Sequence, residues 1–175
     1  MRFFDIFFSL LGFLLFLPFF FIIFLICLVD TGSPLFIQKR VGMDLNGFML
    51  VKFRTMKKNT LSRGTHLVDP SNITRFGFLL RKYKLDELPQ LWNVLIGNMS
   101  LVGPRPCLFN QKKLIKERKK RGVFKVKPGI TGLAQVSGIT MKNPLLLAKT
   151  DLKMINKMSL YYYFYYILNT LFIRH

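Results

Sequence analysis

The chain has 175 residues, which is enough for one compact domain and a membrane element. Its 27 lysines and arginines outweigh 8 aspartates and glutamates, and the formal charge of +19 predicts attraction to nucleic acid, anionic lipid or phosphorylated substrates. Two cysteines and two histidines exclude a disulfide framework and a histidine-rich metal site, and a mean hydropathy of +0.31 favours a membrane protein.

The first segment, residues 3–29, is almost wholly apolar and is long enough to cross a bilayer as a helix. It lacks the small-residue cleavage site of a signal peptide, and the basic remainder of the chain is expected to stay in the cytoplasm. Pro18 lies near the middle of the segment and bends such a helix. Two arrangements remain open. Composition alone favours a plain span, and the alternative is a bent helix that enters and leaves on the same face.

After this segment, short sequence patterns predict a hairpin and a series of helices. Residues 35–41 and 48–54 predict two strands joined by a turn, and polar residues 57–70 predict a loop. Residues 100–106 and 127–138 are rich in glycine and proline and predict loops. Helices are predicted over residues 73–84, 88–96, 112–121, 145–157 and 160–173. The last helix carries six consecutive aromatic residues, which favours a position at the membrane interface.

Asp86 and Glu87 are the only adjacent pair among the eight acidic residues. Pro89 is tolerated in the first turn of a helix, so a helix is predicted to begin near Asp86. The free N–H groups and the dipole at a helix start keep a carboxylate ionised and favour phosphate. Such a carboxylate can attack phosphorus or bind Mg²⁺. The alternative is that Asp86 only caps the helix and Glu87 is first-turn charge.

Basic residues near these acids or near turns are candidates for binding phosphate oxygens. Arg105 is the most specific of these candidates, because prolines on both sides fix its backbone. The alternative interpretation, which must hold for most basic residues of this chain, is that they lie on the solvated surface. Residues 128–132 contain two glycines that can bring backbone N–H groups to a phosphate, although an ordinary turn has the same pattern. The candidates are Lys52, Arg81, Arg105, Lys127 and Thr131.

In this order, the motifs resemble those of the small monotopic phosphoglycosyl transferases, also called bacterial sugar transferases. The resemblance covers nearly the whole chain, and the ordered set is far more specific than any one motif. It rests on Arg2-Phe3-Phe4-Asp5, residues 33–42 (SPLFIQKRVG), residues 52–56 (KFRTM), residues 81–93 with LDELPQL at 85–91, residues 97–106 (GNMSLVGPRP) and residues 127–136 (KPGITGLAQV).

The resemblance implies a mostly helical α+β protein that enters the membrane without crossing it. Residues 1–30 would form a re-entrant helix, and residues 31–175 a cytoplasmic catalytic domain with an interfacial C-terminal helix, at the bacterial inner membrane. In the implied magnesium-dependent reaction, Asp86 attacks the β-phosphate of a UDP-sugar and releases UMP. Undecaprenyl phosphate then takes the phospho-sugar, which initiates glycan assembly. Glu87 would bind or position Mg²⁺, and Arg81 and Arg105 would hold phosphate oxygens.

Asp151 matches a late aspartate of the family and is a further candidate near the metal or nucleotide, with Asp86 and Glu87. The chain departs from the family at Leu17-Pro18, where serine usually precedes the proline, so the hydroxyl that would satisfy a freed carbonyl is absent. Lys153-Met154 stand where tyrosines are usual. The expected partners are a UDP-sugar, undecaprenyl phosphate, membrane lipid and downstream glycosyltransferases, and no nucleic acid. A homodimer and the identity of the sugar stay open.

Two other hypotheses compete with the transferase. A membrane-anchored basic protein that binds anionic lipid or nucleic acid explains the charge and the apolar segment but not the ordered motifs. An inactive scaffold of the same family explains the motifs, but intact Asp86, Glu87 and Arg105 argue against it.

Overall fold

The computed structural model describes residues 1–58 and 70–172. Two helices open the chain, α1 (Arg2–Leu15) and α2 (Leu17–Thr31), and they are bent by 64° at Phe16. Pro18 lies in the first turn of α2, where its missing N–H costs no hydrogen bond, so the bend lies just before the proline. In the described part of the chain, no helix alone meets the length and hydropathy needed to cross a membrane, and α1 and α2 meet them only together.

The predicted hairpin is confirmed. Strands β1 (Leu35–Val41) and β2 (Gly47–Phe53) pair antiparallel, from Leu35 opposite Phe53 to Val41 opposite Gly47. Residues directly opposite each other in such a pair point to the same face. Phe36 lies opposite Lys52, so this face of the hairpin carries Lys52 toward the helices that follow.

The helices predicted next are present but shorter. Helix α3 (Arg75–Lys82) begins after Thr74, whose hydroxyl accepts a hydrogen bond from the Gly77 N–H at 2.9 Å. A single 3₁₀ turn, Leu85–Glu87, separates it from α4 (Gln90–Leu95). Asp86 therefore does not cap α4. Most of the loop predicted over residues 57–70 lies outside the described residues.

The two predicted loops at residues 100–106 and 127–138 are partly wrong. Strands β3 (Ser100–Val102) and β4 (Gly129–Thr131) pair parallel, and a short helix, α6 (Leu133–Val136), follows β4. The pairing depends on glycines. A Cβ added to Gly129 would lie 2.0 Å from the backbone nitrogen of Gly103, so only glycine lets these two chain segments approach.

The remaining helices were predicted within one or two residues. They are α5 (Lys112–Lys120), α7 (Pro144–Asn156) and α8 (Leu160–Phe172), and Asn143 caps α7 by accepting from the Leu146 N–H at 3.1 Å. On α8, Tyr163 and Tyr166 are buried against β3, whereas Tyr161 and Tyr165 are exposed. The fold is mixed α and β and mostly helical, as expected.

Both ends of the bent helix pair are tied to the same body. At the start of α1, Arg2 donates to the carbonyl oxygens of Val94 and Leu95 at 2.7 and 2.9 Å, at the carboxyl end of α4. At the end of α2, Asp30 accepts a hydrogen bond from the Thr74 hydroxyl at 2.5 Å. Ile23 and Cys27 of α2 also pack on the hairpin and α3. The bend between α1 and α2 thus points away from a body that holds both termini of the pair.

Asp5 makes the second attachment of α1. Its carboxylate is only 3% exposed, and its Oδ1 atom accepts three hydrogen bonds. The donors are the Ser100 hydroxyl at 2.9 Å, the Leu101 N–H at 2.9 Å and the Tyr163 hydroxyl at 2.8 Å. A buried carboxylate needs such partners, because burying an unpaired charge is costly. Asp5 therefore joins α1 to β3 and α8 together.

Candidate active site

The adjacent acids lie on the 3₁₀ turn between α3 and α4. Lys84 precedes the turn in the left-handed conformation, with φ of 57°, and so reverses the chain after α3. The turn is only partly open to solvent: Asp86 is 9% exposed, and the side chain of Glu87 is 13% exposed. Both carboxylates lie near Lys52 and Arg105, but only Glu87 is paired with them.

Glu87 receives two cations on one oxygen. Its Oε1 lies 2.6 Å from Lys52 Nζ and 2.6 Å from Arg105 Nη2. Lys52 comes from β2, and Arg105 comes from the Pro-Arg-Pro segment after β3. The sequence offered both as phosphate-binding candidates, and the structure brings them to one carboxylate. We call Asp86, Glu87, Lys52, Arg81 and Arg105 the acid–base cluster.

These contacts keep Glu87 ionised. Burial by itself would raise the pKa of the Glu87 carboxyl. The charges of Arg105 and Lys52, and the hydrogen bonds from both, outweigh burial and hold that pKa well below its ordinary value. Glu87 is thus a fixed negative charge with one oxygen, Oε2, not committed to these cations.

Asp86 is different, because no hydrogen bond or ion pair within residues 1–58 and 70–172 engages its carboxylate. Burial raises the pKa of Asp86. The charge of Lys52 opposes that shift, the charge of Glu87 adds to it, and Arg81 and Arg105 also oppose it. An uncommitted carboxylate among three cations has the properties of a nucleophile toward an electrophile with anionic oxygens.

Arg81 approaches the acids from the last turn of α3. Its Nε donates to the Thr55 hydroxyl at 2.8 Å, which orients the guanidinium. Burial lowers the pKa of Arg81, and the charges of Asp86 and Glu87 counter that effect. Arg81 is therefore placed to bind an anion beside the acids, and Thr55 is a neighbour that the sequence did not single out.

Residues 1–174 match the family model described as "Bacterial sugar transferase". The chain belongs to the bacterial sugar transferase family. The resemblance seen in the sequence is thereby confirmed, and the alternative of an unrelated basic membrane-anchored protein loses its support.

The names of some relatives state a substrate or a pathway. A protein named UDP-glucose:undecaprenyl-phosphate glucose-1-phosphate transferase, from Xanthomonas campestris pv. campestris, is 40% identical over an alignment of 146 residues. The match covers 75% of this chain and 29% of the relative. The exopolysaccharide production protein PSS of Rhizobium leguminosarum bv. phaseoli is 39% identical over an alignment of 150 residues, and the match covers 79% of this chain and 74% of the relative.

A third relative, from Bacillus subtilis (strain 168), bears the name "Uncharacterized sugar transferase EpsL". It is 49% identical over 111 residues, 63% of this chain and 54% of the relative. The chain thus spans about half of this relative and less than a third of the Xanthomonas protein.

In this bacterial sugar transferase, three further residues that the sequence predicts for the site contact residues outside the acid–base cluster. Asp151, predicted near the metal, lies in α7 in a buried ion pair with Arg118. Thr131 is buried, and its hydroxyl forms a hydrogen bond with the Thr170 hydroxyl on α8. Lys127 lies beside Gly97, where a Cβ would be 3.6 Å from its Nζ. Among the contacts of the described residues, none joins these three side chains to the acid–base cluster.

Whether Mg²⁺ fits this site depends on which carboxylate oxygens are not already paired with a basic residue. Within the described ranges, no three His, Cys, Asp or Glu side chains gather into a metal-binding group. Mg²⁺, however, is commonly bound by one or two carboxylates together with substrate phosphates and water. Asp86 and Glu87 Oε2 supply that number, so the site fits a magnesium ion that arrives with a phosphorylated substrate.

Sequence reasoning missed the arginines behind the cluster. Arg40 donates to the Pro106 carbonyl at 3.3 Å, and Arg118 donates to the Arg105 carbonyl at 2.8 Å. The signal for Arg118 was present: it follows Leu114 by four residues on α5, and both side chains are buried. Six other lysines and arginines on residues 112–121 obscured it.

Proposed function

We propose that this chain transfers a phospho-sugar from a UDP-sugar to undecaprenyl phosphate. The observation that carries the proposal is the arrangement of Asp86, an uncommitted carboxylate, beside a Glu87 held ionised by Lys52 and Arg105. Family membership and the printed name of the Xanthomonas relative support this choice of substrates. The lipid-linked product would be the starting point for downstream glycosyltransferases that build an exopolysaccharide or another glycan.

In the proposed first step, an Asp86 oxygen attacks the β-phosphorus of the UDP-sugar. A bond forms between that oxygen and phosphorus, and the bond from phosphorus to the bridging oxygen breaks. UMP leaves with the electron pair, and the phospho-sugar remains on Asp86. In the second step, a phosphate oxygen of undecaprenyl phosphate attacks the same phosphorus and releases the Asp86 carboxylate. Both steps bring anions together, so they depend on nearby positive charge.

Lys52, Arg81 and Arg105 supply that charge. One arginine side chain can bind two phosphate oxygens at once. Arg81 approaches the acids from α3, and Arg105 approaches them from the segment after β3. Asp86 and Glu87 would hold Mg²⁺, which when bound neutralises phosphate charge and helps the leaving group depart. Lys127 and Thr131 stay predicted phosphate-binding residues, although the buried Thr131 hydroxyl already bonds to Thr170. Asp151 is given a different role below.

The membrane arrangement follows from the attachments of α1 and α2. Arg2 and Asp5 at one end, and Asp30 at the other, hydrogen-bond to the same body. A plain span would carry Arg2 and Asp5 across about 30 Å of hydrocarbon and break those bonds. We therefore propose a re-entrant pair whose exposed apolar bend, including Leu14, Leu15 and Leu17, enters the cytoplasmic leaflet of the inner membrane.

The exposed face of α8 completes this arrangement. Tyr161, Tyr165 and Leu168 are exposed, and tyrosine favours the boundary between lipid and water. Helix α8 would then lie along the membrane surface, with the acid–base cluster within reach of a lipid phosphate.

The test is UMP release from a panel of UDP-sugars, with Mg²⁺ and undecaprenyl phosphate, for wild type and Asp86→Asn. The matched control is Asp44→Asn, because Asp44 is an exposed turn aspartate in a left-handed conformation that asparagine also adopts. We expect wild type and the control to release UMP with one sugar, and the rate of UMP release by Asp86→Asn to be lower by at least about 10³-fold. Without lipid acceptor, sugar label should remain on wild type and on the Asp44→Asn control but not on Asp86→Asn.

Two results would contradict the proposal. If Asp86→Asn is as active as the control, Asp86 is not the nucleophile. If folded wild type in nanodiscs releases UMP from no sugar, the inactive scaffold becomes the better interpretation.

A further inference from the structure

A buried ion pair lies behind the segment that carries Arg105. Asp151 Oδ2 lies 2.9 Å from Arg118 Nε and 2.8 Å from Arg118 Nη2. The two side chains are 1% and 2% exposed, so the pair is inaccessible to a substrate. The third guanidinium nitrogen, Nη1, donates to the carbonyl oxygen of Arg105 at 2.8 Å. Arg118 thus joins α5, α7 and the Arg105 segment at one point.

Stability alone is a poor explanation for this pair. Taking two charges out of water costs about as much as their attraction returns, and apolar residues of the same size often serve as well. Other positions on this face of α5 show that alternative, because Leu114, one turn earlier, is apolar and buried. What an apolar residue cannot supply is a directed hydrogen bond to the Arg105 carbonyl.

The geometry explains why arginine fills this position. A guanidinium is planar and has three nitrogens in a fixed fork, so one edge can bind Asp151 while the third nitrogen binds elsewhere. Pro104 and Pro106 restrict the backbone on both sides of Arg105. The Arg118 hydrogen bond then holds the peptide between them. The Arg105 side chain is 40% exposed, so it depends on its backbone to reach Glu87 at 2.6 Å.

We propose that Arg118 and Asp151 are positioning residues for Arg105 in the phosphoryl-transfer site. The proposal rests on the function proposed above. Asp151 fixes the guanidinium of Arg118, Arg118 fixes the carbonyl of Arg105, and Arg105 binds Glu87 and substrate phosphate. Neither Arg118 nor Asp151 touches substrate. Their effect on rate is exerted through Arg105, because small displacements of a charge-stabilising group slow a reaction strongly.

The decisive variant is Arg118→Lys. A lysine has a single nitrogen, which can keep the ion pair with Asp151 but cannot also reproduce the separately placed bond to the Arg105 carbonyl. We expect kcat for UMP release to fall roughly 10- to 100-fold with little change in KM, because the hydrogen bond from the charged guanidinium to the Arg105 carbonyl is lost. The matched control is Arg121→Lys, at the end of the same helix, where Arg121 pairs with Glu117 at the surface.

A double-mutant cycle with Arg105→Ala separates positioning from a general structural effect. If Arg118 acts through Arg105, Arg118→Lys causes little further loss once the Arg105 side chain is gone. The same fold-loss in both backgrounds would overturn the proposal. Hydrogen exchange of the amides in residues 103–108 gives an independent readout: we expect faster exchange in Arg118→Lys than in wild type or Arg121→Lys.

The two readouts distinguish the possible failures. If wild type releases no UMP, the proposed function fails, and the exchange measurement alone decides whether Arg118 holds this segment. If exchange in Arg118→Lys matches wild type, the positioning role is wrong whatever the activity. If Arg118→Lys does not fold, Asp151→Asn, which keeps an oxygen acceptor for Arg118, replaces it in the same cycle with the same expected pattern.

Discussion

Asp5 offers a direct test of how the helices α1 and α2 are attached to the rest of the fold. The perturbation is Asp5→Ala, which removes the acceptor of the Ser100 hydroxyl, the Leu101 N–H and the Tyr163 hydroxyl. The side chain is 3% exposed, so solvent does not readily replace it. The Leu101 N–H is fixed in β3 and cannot turn elsewhere, whereas the two hydroxyls can rotate toward other acceptors.

These contacts give the size of the effect. A buried donor left without a partner costs about 1–3 kcal/mol, so three donors with partial relaxation give about 3–5 kcal/mol for Asp5→Ala. Asp5→Asn keeps one acceptor oxygen and should cost about 1–3 kcal/mol. For a chain of this size, Asp5→Ala should lower Tm by roughly 6–20 °C.

The assay is thermal and urea unfolding in a single defined detergent, with Asp44→Asn as the exposed control. Asp5→Asn and Asp5→Ala should form a graded series, and Asp44→Asn should stay within about 0.5 kcal/mol of wild type. If Asp5→Ala is as stable as the control, the buried hydrogen bonds of Asp5 do not hold α1 to β3 and α8. The argument for a pair anchored at both ends would then lose its main support.

Two further predictions concern the charge of the site and the membrane topology. Burial raises the pKa of Asp86 and its ionised form attacks, so kcat/KM should fall at low pH. Lys52→Met removes a positive charge that lowers this pKa, so the fall in kcat/KM should move to higher pH. Glu87→Gln removes a negative charge that raises this pKa, so the fall should move to lower pH. Shifts in the opposite directions in the pH–rate profiles would contradict the assignment. For the topology, Phe3→Cys should stay unlabelled by an impermeant thiol reagent in intact cells, as should the control Lys113→Cys, which is expected to lie in the cytoplasm. The native Cys27 and Cys107 are buried. Labelling of Phe3→Cys from outside would favour a plain span.

Periodic patterns made most elements predictable from sequence. The hairpin has two seven-residue strands of β-favouring residues on either side of a glycine-bearing turn. Helices α5, α7 and α8 each extend over nine residues or more, which is long enough for a helical period to show in the sequence. Strands β3 and β4 have three residues each, too few for a period, and their pairing requires the close approach of Gly103 and Gly129. That approach is a property of two distant segments and leaves only ambiguous glycines in the sequence.

The candidate site, like the fold, could be predicted only in part from the sequence. Residue type and neighbouring prolines identified Asp86, Glu87 and Arg105 as candidates. Sequence could not reveal that Lys52 and Arg105 share one oxygen of Glu87, because that contact depends on how β2 and the segment after β3 meet. Asp151 shows the same limit, because an aspartate in a helix looks the same in sequence whether its partner is a cation from solution or a buried arginine such as Arg118.

The acid–base cluster contains two carboxylates and three cations, and this composition has a consequence for the order of events in the proposed reaction. When all five are charged, one net positive charge remains. Once the phospho-sugar is bound to Asp86, the carboxylate's negative charge is replaced by that of the bound phosphate group. The electrostatic balance around Glu87 is therefore the same for the free site and for the loaded one. The departing nucleotide and the incoming lipid phosphate would therefore meet equivalent surroundings, so one rigid site can serve both steps of the proposed reaction without rearrangement between them.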